Sequence, residues 1–135
     1  MAKSKNIDYF EFDLNNVDEI DLVIEKAFSK VDEQNAEGIY LINNAAVISP
    51  LGRIEQGSVK DFKNNLHVNL LAPILLTSSF IRNSQHIRGE KRVLNVSSMS
   101  AKNHLPGMSV YSASKAGLDV FRNVSVLNKV RQNPL

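Results

Sequence analysis

Apolar and polar side chains alternate along Ile7-Asp8-Tyr9-Phe10-Glu11-Phe12, the two-residue period of a strand with one buried face. The period then lengthens. Val17, Ile20, Val23, Ile24, Ala27, Phe28 and Val31 predict a helix with one apolar stripe, with Glu19, Glu25, Lys26 and Lys30 on its solvated side. Asn16 and Glu19 have the spacing of a capping box, in which side chains satisfy the first free backbone amides. Gly38 closes that unit. A second strand, Ile39-Tyr40-Leu41-Ile42, runs into Asn43-Asn44-Ala45-Ala46. After a loop with Pro50, Gly52 and Gly57, Ser58 and Asp61 mark another helix. It is expected to continue to about Arg82 with a kink near Pro73, where the ring removes a backbone hydrogen bond. Arg92-Val93-Leu94-Asn95-Val96 reads as the third strand and ends in Ser97-Ser98. Residues 99–109 read as a loop, and a last helix carries Tyr111 and Lys115 to roughly Leu127. Gln132-Asn133-Pro134-Leu135 stops the pattern.

The order β-α-β-α-β-α points to an α/β fold with a parallel sheet. Each strand's carboxyl end carries polar or small residues, where ligands bind in open α/β sheets. The 135 residues suffice for one core and leave no room for a second domain of comparable size. A net charge of +2, with acids and bases interspersed, lacks the concentrated basic face of a nucleic-acid binder. Lys3 and Lys5 are followed by Asn6, Asp8 and Glu11, not by the apolar run of a signal peptide. The most apolar stretch, residues 68–76, is interrupted by Asn69 and Pro73 and is too short to span a membrane. With no cysteine, disulfides and thiolate metal sites are excluded. A reduced, cytosolic, globular protein is expected.

Tyr111 and Lys115 lie four apart on a predicted helix, so both project from one face. A phenol with a pKa near ~10 is a poor acid or base at neutral pH. An ammonium beside it favours the phenolate and brings it towards general acid–base chemistry. The same spacing also arises by chance on helices. Ser98 closes a strand whose carboxyl end faces the same cleft, and its hydroxyl would donate to a carbonyl oxygen beside the tyrosine. A strand-end serine also caps turns, which is the reading for Ser97. No histidine is placed to make Ser98 a nucleophile: His104 follows in the loop, without the glycine-flanked elbow of a hydrolase. His67 and His86 read as helix-surface residues, and the three histidines lack metal-site spacing. Asn69 is a polar residue in the most apolar stretch. It either satisfies a neighbouring backbone group near Pro73 or holds a water in a relay to Lys115.

Four segments stand in order: Asn43-Asn44-Ala45-Ala46, Val68-Asn69-Leu70, Asn95-Val96-Ser97-Ser98, and Tyr111-Ser112-Ala113-Ser114-Lys115-Ala116-Gly117. Together they resemble the short-chain dehydrogenase/reductase family, and more narrowly its bacterial sepiapterin reductase or benzil reductase branch. The resemblance implies a Rossmann-like doubly wound sheet and an NADP-dependent (or NAD-dependent) carbonyl reductase acting on a small-molecule ketone or diketone. It implies that Tyr111 protonates the carbonyl oxygen as hydride arrives, and that Lys115 lowers the tyrosine pKa and meets the nicotinamide ribose. It further implies that Ser98 orients the carbonyl and Asn69 completes a proton relay. Asp13 and Leu14 match the position that meets the adenine. Asn44, Ala45 and Ala46 match a turn where the backbone approaches the cofactor, with Ala46 where glycine is more usual. In the family, helices corresponding to 58–82 and 111–127 often pack on another subunit. Leu70, Ile74 and Phe121 would supply such a surface, or else belong to one core.

The resemblance covers almost the whole chain but only the middle of the family domain. The glycines at 38, 52, 57, 89, 107 and 117 form no glycine-rich dinucleotide turn. The expectation is therefore a partial Rossmann-like domain, lacking the N-terminal βαβ unit and the C-terminal strands, with exposed sheet edges, weakened cofactor binding and little activity. A non-catalytic remnant or interaction module of the same fold is the alternative. Met99, Leu105, Pro106 and Met108 would line the loop over the site and favour a bulky apolar or aromatic ketone, or else serve ordinary packing.

Overall fold

The computed structural model describes residues 7–103 and 105–130, with side chains to Asn123. His104 and the expected stop at residues 132–135 lie outside the described residues. The elements in chain order are α1 (Ile20–Phe28), β1 (Gly38–Asn43), α2 (Val59–Leu66), α3 (Ala72–Asn83), β2 (Glu90–Asn95) and α4 (Ser109–Val130). A π-helical turn, His67–Leu71, joins α2 to α3, and short 3-10 turns precede α1, α2 and α4.

The two strands pair in parallel, from Gly38 opposite Glu90 to Asn43 opposite Asn95. Their side chains alternate as the pleat requires. Ile39, Leu41 and Val93 join the core, in which Ile20, Ile24, Phe28, Ala72, Phe80 and Ile87 are buried. The stripe of α1 meets α3 there, with the Phe28 and Phe80 rings edge-on at 6.0 Å. Arg82 pairs with Asp21 across the same two helices at their exposed rim. The opposite face of the sheet is bare: Tyr40 is 57% exposed, Ile42 61% and Leu94 56%. At its amino-terminal end the Tyr40 hydroxyl donates to Glu90, which Arg92 also holds. Arg92 first, then Tyr40, keep the Glu90 carboxyl below its ordinary range.

Several expectations are corrected. Residues 7–12 form no strand, because a strand needs a ladder and the described sheet contains only β1 and β2. Thus two strands form where the alternation predicted three. The capping box at Asn16 and Glu19 is not made: Asn16 makes no side-chain cap, and a 3-10 turn, Val17–Glu19, takes that place before α1. The helix also ends at Phe28, short of Val31. His86 lies beyond α3 and pairs with Glu33 at 2.9 Å, and His67 is half-buried in the π-turn. By contrast, Ser58 caps α2 as its spacing implied, accepting from the Asp61 amide at 3.1 Å. Leu70 lies against Gly117 of the same chain, where a Cβ would come within 3.2 Å of its methyl. No helix among the described residues is long and apolar enough to cross a membrane, and no group of possible metal ligands occurs among them.

Phe80→Ala should lower unfolding free energy by about 3–5 kcal/mol in urea titration, because it empties the centre of the α1–α3 contact. Ile42→Thr, on the bare face, should change it by only about 0.5 kcal/mol. The same Ile42→Thr change should reduce aggregation measured by light scattering.

Candidate active site

Parallel pairing brings the two strands' carboxyl ends together. The Val96 amide still donates to the Asn43 carbonyl at 3.0 Å, one step past the ladder. Beyond that point the chain diverges into Asn44-Ala45-Ala46-Val47 on one side and Ser97-Ser98 on the other. Helix α4 meets this edge through Lys115, whose Nζ donates to the Val96 carbonyl at 2.9 Å. Lys115 is only 2% exposed. Burial pushes its ammonium below the ordinary lysine range, with Asp119 pulling the other way. One turn earlier stands Tyr111, half-buried, its ring centroid 5.8 Å from the ammonium.

Ser98 caps a 3-10 turn, Met99–Ala101. Its Oγ accepts from the Ser100 amide at 3.3 Å and from Ser100 Oγ at 3.0 Å. A hydroxyl has two lone pairs and one proton, so this leaves the Ser98 O–H to donate elsewhere. Turn capping was expected of Ser97, and the structure gives it to Ser98. Strand alternation carries Asn95 and Ser97 inward, and the Ser97 hydroxyl is buried with no hydrogen-bond partner among the described residues.

Asn69 lies within the π-turn and is fully buried. Its Oδ1 accepts from the Val47 amide at 2.8 Å, and its Nδ2 donates to the Val47 carbonyl at 2.7 Å. The side chain thus pairs with Val47 as a neighbouring strand would, and Nδ2 also reaches Asn65 Oδ1 at 2.9 Å and Ser114 Oγ at 3.3 Å. The Asn69 side chain does satisfy a backbone segment, but that segment is Val47 in the loop after β1, not a group near Pro73. Pro73 has no N–H, so the helix ladder loses a donor to the carbonyls of the preceding turn, the turn that contains Asn69. The neighbouring Pro73 carbonyl is served by the Thr77 hydroxyl at 2.7 Å.

Asn44, Ala45 and Ala46 are exposed at the carboxyl edge, as a backbone that approaches a ligand must be. Asp13 turns back on Asn15, accepting from its amide at 2.9 Å, and Asn15 holds Asn64 of α2 at 2.7 Å. Leu14 leans on the core. Asp13 and Leu14 share no hydrogen bond with the Tyr111–Lys115 group. These are the residues that the sequence suggested would meet a dinucleotide. A pyrophosphate cradle is not among them: the positive-φ glycines, Gly52 and Gly107, sit in loops and bond to each other at 2.9 Å. A Cβ on Gly107 would come within 3.3 Å of the Gly52 nitrogen, so this loop contact needs glycine. The two loops present Leu51, Met99 and Leu105 to solvent. A cavity of about 500 Å³ bounded by Leu105, Pro106, Ser112 and Ala116 opens beside Tyr111 and Lys115, not over them, and neither residue lines it.

Asn65 and Ser114 were missed from the sequence. Asn65 stands one turn before Asn69 on the same predicted helix, a spacing that would have revealed the shared face.

A parallel α/β edge carrying this serine, tyrosine and lysine defines a class, and comparison with known proteins agrees. Residues 1–129 match the short chain dehydrogenase family, and the chain belongs to it. It is 33% identical over 129 residues to a benzil reductase ((S)-benzoin forming) of Bacillus cereus, covering 96% of this chain and 52% of that protein. It is 37% identical over 117 residues to a benzil reductase of Bacillus subtilis (strain 168), covering 87% and 48%. A metagenomic short-chain oxidoreductase solved in complex with NADP superimposes with a TM-score of 0.73 at 27% identity, over 89% of this chain and 52% of that one. The chain spans about half the length of the curated relatives it matches. The fold is thus a partial Rossmann-like one.

Stability should carry the signature of Lys115. Its folded pKa lies below the unfolded value of ~10.4, so between the two the unfolded chain holds more protons. Stability should therefore rise as pH climbs through that window. Urea unfolding across the alkaline range checks this, and Lys115→Met should flatten that rise.

Proposed function

We propose that this chain carries the catalytic edge of an NADP-dependent reductase acting on a ketone or diketone carbonyl. The observation that carries the reading is the buried Lys115 ammonium, anchored to the Val96 carbonyl and one helical turn from Tyr111. A lysine is rarely buried without a task. The similarity to benzil reductases supports the carbonyl substrate, and the NADP complex of a structural relative supports the cofactor.

A nicotinamide cofactor, when bound, supplies the hydride. The chain's own residues handle the oxygen and the proton. Ser98 directs its free O–H at the carbonyl oxygen and fixes its orientation. Tyr111 gives its phenolic proton to that oxygen as negative charge develops there. The Lys115 cation stabilises the phenolate left behind and meets the ribose. With its side chain committed to Val47, Asn69 serves the relay through its main-chain carbonyl, beside the position where Pro73 withholds an N–H. Asn44, Ala45 and Ala46 receive the nicotinamide half and Asp13 and Leu14 the adenine, with the Ala46 methyl where glycine is more usual. Leu51, Met99 and Leu105 favour an apolar or aromatic ketone. The working location is the cytoplasm. The bare sheet face of Tyr40, Ile42 and Leu94 favours a second reading, a non-catalytic remnant or interaction module of the same fold. Homo-oligomers through helices 58–82 and 111–127 are a separate part of the proposal, carried by the family resemblance alone.

NADPH oxidation with benzil tests the reductase reading. A slow rate is expected, lowered by roughly 100-fold or more in Tyr111→Phe. A folded chain whose rate is the same in both proteins would sink it. Calorimetric titration should find NADPH binding weak for want of a glycine-rich cradle, and tight stoichiometric binding would overturn that expectation.

A further inference from the structure

Four hydrogen bonds converge on the side chain of Asn65. It is completely buried in the last turns of α2, where an amide is costly unless its polar atoms are satisfied. Its Nδ2 donates to the Val47 carbonyl at 2.9 Å and the Ser49 carbonyl at 2.7 Å. Its Oδ1 accepts from Asn69 Nδ2 at 2.9 Å and from Ser114 Oγ at 3.1 Å. An amide's two donors and two acceptor sites are thereby all used. The partners belong to three segments far apart in sequence: the loop after β1, the π-turn, and α4.

The α4 partner is the informative one. Ser114 lies between Tyr111 and Lys115, and its one hydroxyl proton is shared between Asn65 Oδ1 at 3.1 Å and the Tyr111 carbonyl at 2.8 Å. An α-helix turns about 100° per residue, so holding Ser114 against α2 fixes the azimuth of its neighbours. Lys115 is thereby aimed at the end of β2, where its Nζ finds the Val96 carbonyl. Small errors of this kind matter, because a displacement of about 1 Å at a reacting group costs about 100-fold in rate. A residue needed only for packing would have no reason to be an amide joined to all three segments.

We propose that Asn65 is a positioning residue for the Tyr111–Lys115 pair. It sets the rotation of α4, and with it the depth at which the Lys115 ammonium sits against Val96, while keeping Asn69 turned onto Val47. The importance of the pair rests on the reductase reading, but the positioning itself is measurable without turnover.

The experiment follows Lys115 by NMR in the full chain with isotope-labelled lysine, assigned by its loss in Lys115→Met. The charged and titratable groups facing it are Asp119, one turn on, and the Tyr111 ring; from β2 it meets only the Val96 carbonyl. Wild-type Lys115 should titrate below the ordinary lysine range. In Asn65→Leu, of similar volume, α4 is free to turn and water reaches the ammonium. The titration should move up by about half a unit or more. Ser114→Ala removes the bonds that tie Asn65 and Asn69 to α4 but leaves those of Asn65 to Val47 and Ser49, and should give a shift in the same direction; it carries the test if Asn65→Leu fails to fold. Folded variants with lowered thermal midpoints but a wild-type Lys115 titration would overturn the inference and leave the reductase reading untouched. An ordinary lysine titration in the wild type would overturn both.

Discussion

The parallel register of β1 on β2 is the constraint from which the site follows. Because Asn43 stands opposite Asn95, the segments leaving the two strands start side by side. The Val96 amide is spent on the Asn43 carbonyl, which leaves the Val96 carbonyl pointing away to receive Lys115. A slip of one residue would turn every side chain to the other face and replace that carbonyl with one of opposite direction. At the end of the ladder, Asn43 Nδ2 donates to Asn95 Oδ1 at 2.7 Å and leans towards Thr77, a buried polar rung that marks the register. Since the two strands are joined through the α2–α3 helix, everything that sets that helix also sets the site.

Much of this was legible in the sequence for specific reasons. The helix periods were strong, and Ser58 and Asp61 formed the cap that their spacing announced. Tyr111 and Lys115 could be placed on one face from spacing alone. Other features were hidden because they depend on partners. The alternation in residues 7–12 has the right period, yet no strand among the described residues lies beside it. Asn16 and Glu19 match a capping box by spacing, but a 3-10 start spends the same amides on nearer carbonyls. The exchange between Ser97 and Ser98 turned on which side of the pleat each falls, a one-residue matter that a motif does not specify. The buried amides Asn65 and Asn69 were the least accessible, since their meaning lies in Val47 and Ser114, neither of which attracts notice alone.

The two sides of the molecule contrast. On one, Asn65, Asn69 and Ser114 share a continuous buried network, with Lys115 held beside it on the Val96 carbonyl, while Asn43 Oδ1 and the Ser97 and Ser112 hydroxyls have no partner among the described residues. On the other, Tyr40, Ile42 and Leu94 meet water. A doubly wound fold covers both faces of its sheet, and the chain spans about half the length of the relatives that share this fold. The network joining Asn65, Asn69 and Ser114 is thus closed among the described residues, whereas the sheet face is left uncovered by them.

The π-turn at His67–Leu71 has a geometric consequence for the long helix it interrupts. Such a turn accommodates one residue more than an α-helical turn, so it shifts the angular phase of everything after it by about 100°. Before it, α2 packs on α4; after it, α3 packs mainly on α1 and only lightly on α4. One rod therefore serves two neighbours that lie on different sides of it, like a camshaft with offset lobes. Removing a single residue from the turn would bring the lobes into line, and the helix would then be able to engage α4 or α1 correctly, but not both.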